Sequence, residues 1–188
     1  MWVTRLTQKI EAWAARNSAV YKLAEGYYRD VVQKEVALAN INEGDHILCI
    51  GGGFCPFSAI LLHRETGARV TVIDNCNDCV LLAQQMIRRM GLEKFIHVRL
   101  QDGASTPIGD YTVVHFALQV FPMECVFNHV KSQAAPGTRF LIRRPKDGLR
   151  SLYSKISNKV KHMLNQCPFA VHNNARNIGK TLLYVKVA

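Results

Sequence analysis

The chain has 188 residues, 48% of them hydrophobic and 20% charged, which is enough for one domain with a proper core and short for two. A formal charge of +10 favours an acidic partner (a carboxylate or phosphate substrate, a nucleic acid, an anionic surface) and fits equally well a protein that is simply basic. With no run of about 18 apolar residues, and with Lys9, Glu11 and Arg16 breaking the N-terminus, neither a membrane span nor a secretory leader is expected, and the expected location is the cytoplasm.

Residues 1–39 read as a helical arm and residues 40–188 as the body of the protein. In the arm, Trp2, Leu6, Ile10 and Trp13 recur at helical spacing. After a break at Asn17-Ser18, a second helical pattern runs through Val20, Leu23, Tyr27, Val31 and Val32 to Leu38. This arm is expected to pack over a ligand crevice or against a second copy of the chain in a homo-oligomer. Tyr27 and Tyr28 then either project phenols into the crevice or serve as core aromatics.

Asn42 to Asp45 form a turn, and the apolar run Ile47 to Ile50 is too short for a helix and too apolar for an exposed strand, so it suits the centre of a parallel sheet. Gly51-Gly52-Gly53 follows, then Phe54-Cys55, then a helix from Pro56 to Thr66 with proline at its entry and Gly67 at its end. The next strand, Val70 to Ile73, closes on Asp74. A glycine turn between a strand and a helix lets a ligand approach bare backbone N–H groups at the positive end of the helix dipole. A carboxylate about 20 residues on is placed to hold a ribose, so this stretch reads as an adenosyl-cofactor site. NAD would prefer a third glycine three residues after Gly53, where Pro56 stands.

A helix is expected from Cys76 to Met90, with Val80, Leu81, Met86 and Ile87 inward and Gly91 ending it. Cys76-Asn77-Asp78-Cys79 is a CxxC pair without a second pair, and no metal centre is expected from two ligands. The six cysteines show no disulfide framework. Strand three, Phe95 to Leu100, closes on Gln101-Asp102-Gly103. Two successive strands ending on carboxylates are the pattern of a ligand crevice in an open α/β sheet, with Asp74 on the ribose hydroxyls and Asp102 either on the adenine amino group or serving only its turn.

Strand four is Tyr111 to Phe116, followed by a helix from Pro122 to Gln133 and strand five from Arg139 to Arg143. Leu152, Ile156, Val160 and Leu164 mark one face of a basic helix. Phe169 to Val171 and Thr181 to Val187 close the chain as a strand pair. The inventory is α/β: seven strands, mostly parallel, with an antiparallel hairpin at the end. The candidate cofactor contacts are Gly51, Gly52, Gly53, Phe54, Asp74, Asn75, Gln101, Asp102 and Phe116.

That inventory is similar to the Rossmann-like class I S-adenosylmethionine-dependent methyltransferase fold over about residues 45 to 188. Two departures stand out: Cys49 occupies the place of an acid two positions before the first glycine, and Cys55 replaces the third alternate glycine. Both resemble the nicotianamine synthase family and its metallophore-making relatives, whose glycine turn leads into a proline-containing helix start, here Ile50 to Pro56 followed by Ile60-Leu61-Leu62. Ile142-Arg143-Arg144 through Gly148-Leu149-Arg150 to Leu152-Tyr153 resembles the same family, as do Tyr27-Tyr28 with Glu35. The resemblance implies S-adenosylmethionine as cofactor and transfer of its 3-amino-3-carboxypropyl group, not its methyl, to an amine of a small amino-acid-like substrate. Arg143, Arg144 and Arg150 would bind that substrate, or the cofactor's own carboxylate, because a guanidinium pairs bidentately with a carboxylate; alternatively they form a solvated basic face.

Transfer at a carbon beside a sulfonium requires the protein to align a neutral nucleophile and take its proton. Tyr27, Tyr28, Glu35 and His115 are the candidate helpers, with His115 otherwise a core histidine. After strand four stands Phe116-Ala117-Leu118 and no Asn/Asp-Pro-Pro-aromatic element, which counts against methylation of bases in nucleic acid. Two rival readings remain: a small-molecule methyltransferase, and a non-catalytic module that binds nucleic acid or an anionic surface through Arg143 to Lys161.

Overall fold

The computed structural model describes residues 18 to 187. The expected helix carrying Trp2, Leu6, Ile10 and Trp13, the break at Asn17 and the side chains of Val20 and Leu23 lie outside the described residues. The strands are β1 (His46–Ile50), β2 (Arg69–Asp74), β3 (Ile96–Leu100), β4 (Val113–Phe116), β5 (Arg139–Pro145), β6 (Phe169–Val171) and β7 (Ile178–Val185). The helices are α1 (Ser18–Ala39), α2 (Phe57–Thr66), α3 (Asn77–Arg89), α4 (Met123–Gln133) and α5 (Asn158–Asn165), with a 3₁₀ turn over Asp147–Leu152.

The seven strands form one sheet in the order β3-β2-β1-β4-β5-β7-β6. The first five run parallel, and β7 lies antiparallel between β5 and β6. This is the class I S-adenosylmethionine-dependent methyltransferase fold. The two-residue period of each strand distributes the core to both faces. Ile47 and Cys49 of β1 and Val70 and Val72 of β2 pack under α1, α2 and α3. Leu48, Ile50, Phe116, Phe140 and Ile142 pack under α4 and α5 on the other face.

Local chemistry sets the element ends. Gly67 adopts φ +76° and donates its N–H to the His63 carbonyl at 2.7 Å, closing α2. The basic helix is shorter than its apolar spacing suggested: Leu152 ends the 3₁₀ turn and is 43% exposed, while Val160 and Leu164 are buried on α5. The reason is Ser157, which accepts the Val160 N–H at 3.3 Å and caps a new helix there. On α3 the inward stripe is Cys79, Val80, Ala83, Met86 and Ile87, and Leu81 faces outward at 49% exposure. One residue off the stripe is a rotation of about 100°, enough to move a side chain to the far face.

Along the sheet, β1 connects to β2 on one side while β4 lies on its other side. This reversal opens a crevice at the C-terminal ends of β1 and β4, where ligands bind in open α/β sheets.

Candidate active site

A cleft of about 400 Å³ occupies that crevice. One wall is the turn Gly51 to Gly53 with the start of α2; another is Asp74 and Asn75 after β2 with Gln101, Asp102 and Gly103 after β3. The segment Ala117 to Phe121 after β4 closes the third side, and Cys49, His115 and Arg143 line the cleft from the sheet. Tyr28 and Ser58 reach it from α1 and α2, and Asn177 from the loop before β7.

The glycines act here by close approach. A Cβ on Gly52 would lie 2.4 Å from Val72 Cγ1, so the turn sits directly against β2. Gly51 and Gly53 adopt φ +86° and +61°. Their N–H groups are already engaged, contrary to the expectation of bare donors: Gly51 donates to the Ile73 carbonyl at 2.9 Å and Gly53 to Asp74 Oδ2 at 2.8 Å. Asp74 Oδ1 accepts the Cys76 N–H at 2.9 Å, so this carboxylate ties the glycine turn to the start of α3. Asp102 Oδ1 accepts the Ala104 N–H at 2.9 Å, so it serves its own turn while also lining the cleft.

Beneath the cleft lies a buried polar cluster that joins five elements. Arg143 of β5 donates from Nε and Nη2 to the two carboxylate oxygens of Glu35 at 2.7 and 2.8 Å, and from Nη1 to Ser58 Oγ at 2.8 Å. Thr181 Oγ1 of β7 donates to Glu35 Oε1 at 2.7 Å. His172 Nε2 stands 2.8 Å from that hydroxyl, whose proton is committed to Glu35, so the imidazole nitrogen is the donor. His115 Nε2 approaches Glu35 Oε2 to 3.3 Å. The Tyr28 ring lies 5.8 Å from the guanidinium and stacks on Phe57 at 5.5 Å.

Burial pushes the Glu35 carboxyl up, but the Arg143 charge and then His115 outweigh it and hold it well below the usual carboxylate range. Burial, and next the Arg143 charge, push His115 down, so the imidazole is neutral near pH 7. The Cys49 thiol is pushed up to about 12, mainly by burial, and stays protonated.

Of the residues expected at the site, Tyr28, His115, Gly51, Gly52, Gly53, Asp74, Asn75, Gln101, Asp102 and Arg143 line one cleft. The others do not. Phe116 is fully buried on the opposite face of the sheet, with ring centroids 6.1 Å from Phe127 and 6.4 Å from Phe140, because strand alternation turns it away from His115. Glu35 sits behind Arg143, fully buried. Tyr27 is tied to the loop before β7: its hydroxyl donates to Asn177 Oδ1 at 2.6 Å and accepts the Arg176 N–H at 2.9 Å. Phe54, Arg144 and Arg150 stand outside the cleft lining, and Arg150 pairs with Asp147 at 2.7 Å. Ser58, Asn177 and the segment after β4 were not anticipated. The position of β4 beside β1 is the only signal that could have found that segment, and Asn177 arrives from the far end of the chain with no local signature.

The lining fits an adenosyl ligand on two counts: two carboxylates at the ends of adjacent strands, and a volume in the range of small-molecule sites. Among the described residues no helix is long and apolar enough to cross a membrane.

No family model matches the chain. A stretch of 129 residues is 26% identical to the L-histidine 2-aminobutanoyltransferase of Yersinia pestis, covering 68% of this chain and 47% of that protein. The chain therefore spans about half the length of the curated relative it matches. Among solved structures, MtNAS in complex with MTA and tNA superposes with a TM-score of 0.82 at 22% identity, over 97% of this chain and 72% of that one. A point variant of MtNAS bound to S-adenosylmethionine gives 0.78 at 22% identity, over 98% and 74% of the two chains. An RNA methyltransferase from Salinibacter ruber bound to S-adenosyl-L-homocysteine gives 0.64 at 19%, over 84% and 91%.

Proposed function

We propose that this chain is an S-adenosylmethionine-dependent transferase that moves the 3-amino-3-carboxypropyl group onto an amine of an amino-acid-like acceptor, with L-histidine as the first acceptor to try. The observation that carries this reading is the pairing of the glycine and Asp74 cleft with a buried Arg143–Glu35–His115 cluster under its floor. The 26% identity to an L-histidine 2-aminobutanoyltransferase supports the choice of transferred group and acceptor.

When bound, S-adenosylmethionine supplies a carbon made electrophilic by an adjacent sulfonium. Asp74 and Asp102 hold the adenosine end as acceptors for ribose hydroxyls and the adenine amino group. Gly52 lets the turn lie close against β2, where Asp74 ends the strand. Neutral His115 takes the proton that the acceptor amine loses, and the Glu35 carboxylate beside it stabilises the resulting imidazolium. Arg143 keeps Glu35 ionised and fixed in direction, so it positions the dyad and is not itself free for a substrate carboxylate. Asn177, oriented by Tyr27, and Tyr28 stand at the acceptor end. Helix α1 acts in this reading as an arm that completes the cleft, since it brings Tyr28 to the lining and Glu35 beneath the floor.

Product analysis tests the proposal. Incubation with S-adenosylmethionine and L-histidine is expected to release methylthioadenosine; S-adenosylhomocysteine in its place would establish methyl transfer instead.

A further inference from the structure

Cys76 and Cys79 have no part in the chemistry above, yet both line the same cleft as Asp74. The Sγ atoms of Cys76 and Cys79 and a carboxylate oxygen of Asp74 all lie within 4.8 Å of one another. The CxxC spacing marked the two thiols alone. Asp74, two residues before Cys76, is the third group, because β2 ends on it and the chain turns immediately into α3.

Backbone donors already aim two of these three groups. Cys79 donates its N–H to Cys76 Sγ at 3.3 Å, Cys76 donates to Asp74 Oδ1 at 2.9 Å, and Gly53 donates to Asp74 Oδ2 at 2.8 Å. Such outer contacts are what orients ligands in metal sites. The geometry points to a binding site for one thiophilic divalent ion of the zinc class, held by Cys76, Cys79 and Asp74, with its fourth position open to the cleft. Thiolates select zinc or cadmium over magnesium or calcium. A tetrahedral ion with metal–sulfur bonds of about 2.3 Å sets the sulfurs roughly 3.8 Å apart, so these thiols need to close by about 1 Å at most. Among the described residues no fourth histidine, cysteine or carboxylate joins the group, so the site is of the open kind, not a structural one.

The site also regulates, and this part rests on the adenosyl reading above: an ion on Asp74 takes the carboxylate assigned to the ribose, so metal and S-adenosylmethionine exclude each other. The test is a cadmium titration of the full chain, read by the ultraviolet thiolate-to-cadmium band, beside calorimetry with S-adenosylmethionine. One cadmium per chain is expected, with S-adenosylmethionine affinity falling as cadmium is added. Cys76→Ser, whose hydroxyl still accepts the Cys79 N–H, and Cys79→Ser should each weaken cadmium binding about tenfold or more. Cys125→Ser, at an exposed thiol on α4, should leave it unchanged. A band that persists in the Cys76→Ser, Cys79→Ser double variant overturns the site. Cadmium bound at these thiols without weakening S-adenosylmethionine overturns the exclusion. A chain that takes one cadmium at these thiols but never binds S-adenosylmethionine keeps the metal site and removes the adenosyl reading alone.

Discussion

Arg143 and Glu35, 108 residues apart in the chain, meet as a fully buried bidentate pair, and the two carboxylate oxygens take Nε and Nη2 at 2.7 and 2.8 Å. The pair closes the first described helix onto the fifth strand, under the floor of the cleft. Its worth as net stability is small, since two ions were desolvated to make it, but breaking it leaves one charge stranded.

Arg143→Met should therefore destabilise the protein by about 3–5 kcal/mol, because the Glu35 carboxylate is left buried without its cation. The Glu35→Met, Arg143→Met double variant should recover most of that loss. Urea midpoints of the three proteins measure this. A double variant as unstable as the single one would mean that the pair contributes through packing and not through charge.

The pH dependence of stability follows from the same cluster. His115 has its pKa lowered by burial and by the Arg143 charge, so between that value and about 6.5 the unfolded chain binds the proton that the folded chain refuses. Stability is full above about 6.5 and falls as pH drops, by up to about 1.4 kcal/mol per pH unit from this residue. Glu35, held low in the fold, adds its own loss only below about 4.3, where the unfolded carboxyl begins to protonate. Urea midpoints from pH 8 to pH 4 should fall in that order, and His115→Gln should flatten the upper part of the curve.

His115→Gln also tests the proposed proton acceptor. A drop in kcat of about 10² or more is expected, with the calorimetric affinity for S-adenosylmethionine unchanged. Equal losses in both would make His115 a structural residue.

At Gly52 the expectation is steric. Gly52→Ala places a Cβ 2.4 Å from Val72 Cγ1 and should cost about 1–3 kcal/mol of stability along with S-adenosylmethionine binding. Adding Val72→Ala opens the space and should restore binding, as measured by calorimetry. Failure of the second change to rescue would point to the backbone and not to the contact.

Tyr27→Phe removes the hydroxyl that orients Asn177 and holds the Arg176 N–H. The acceptor KM should rise several-fold while the affinity for S-adenosylmethionine stays constant, with a stability loss of about 0.5–1.5 kcal/mol. Steady-state kinetics in both substrates separate these effects.

By itself the sequence determined the alternation of strands and helices, the glycine turn between β1 and α2 and the carboxylate ending β2. Those are local: apolar runs, helix ends and turn glycines act on neighbours a few residues away, and their periodicity is written in the chain. Only the tertiary structure decided which of the expected residues share a site. Strand alternation sent Phe116 to the far face while His115 met the cleft. Pairing of β5 with β7 brought Thr181 to Glu35. Such meetings depend on how the sheet is ordered and how each face is covered. Contacts across more than a hundred residues leave no period in the sequence to read.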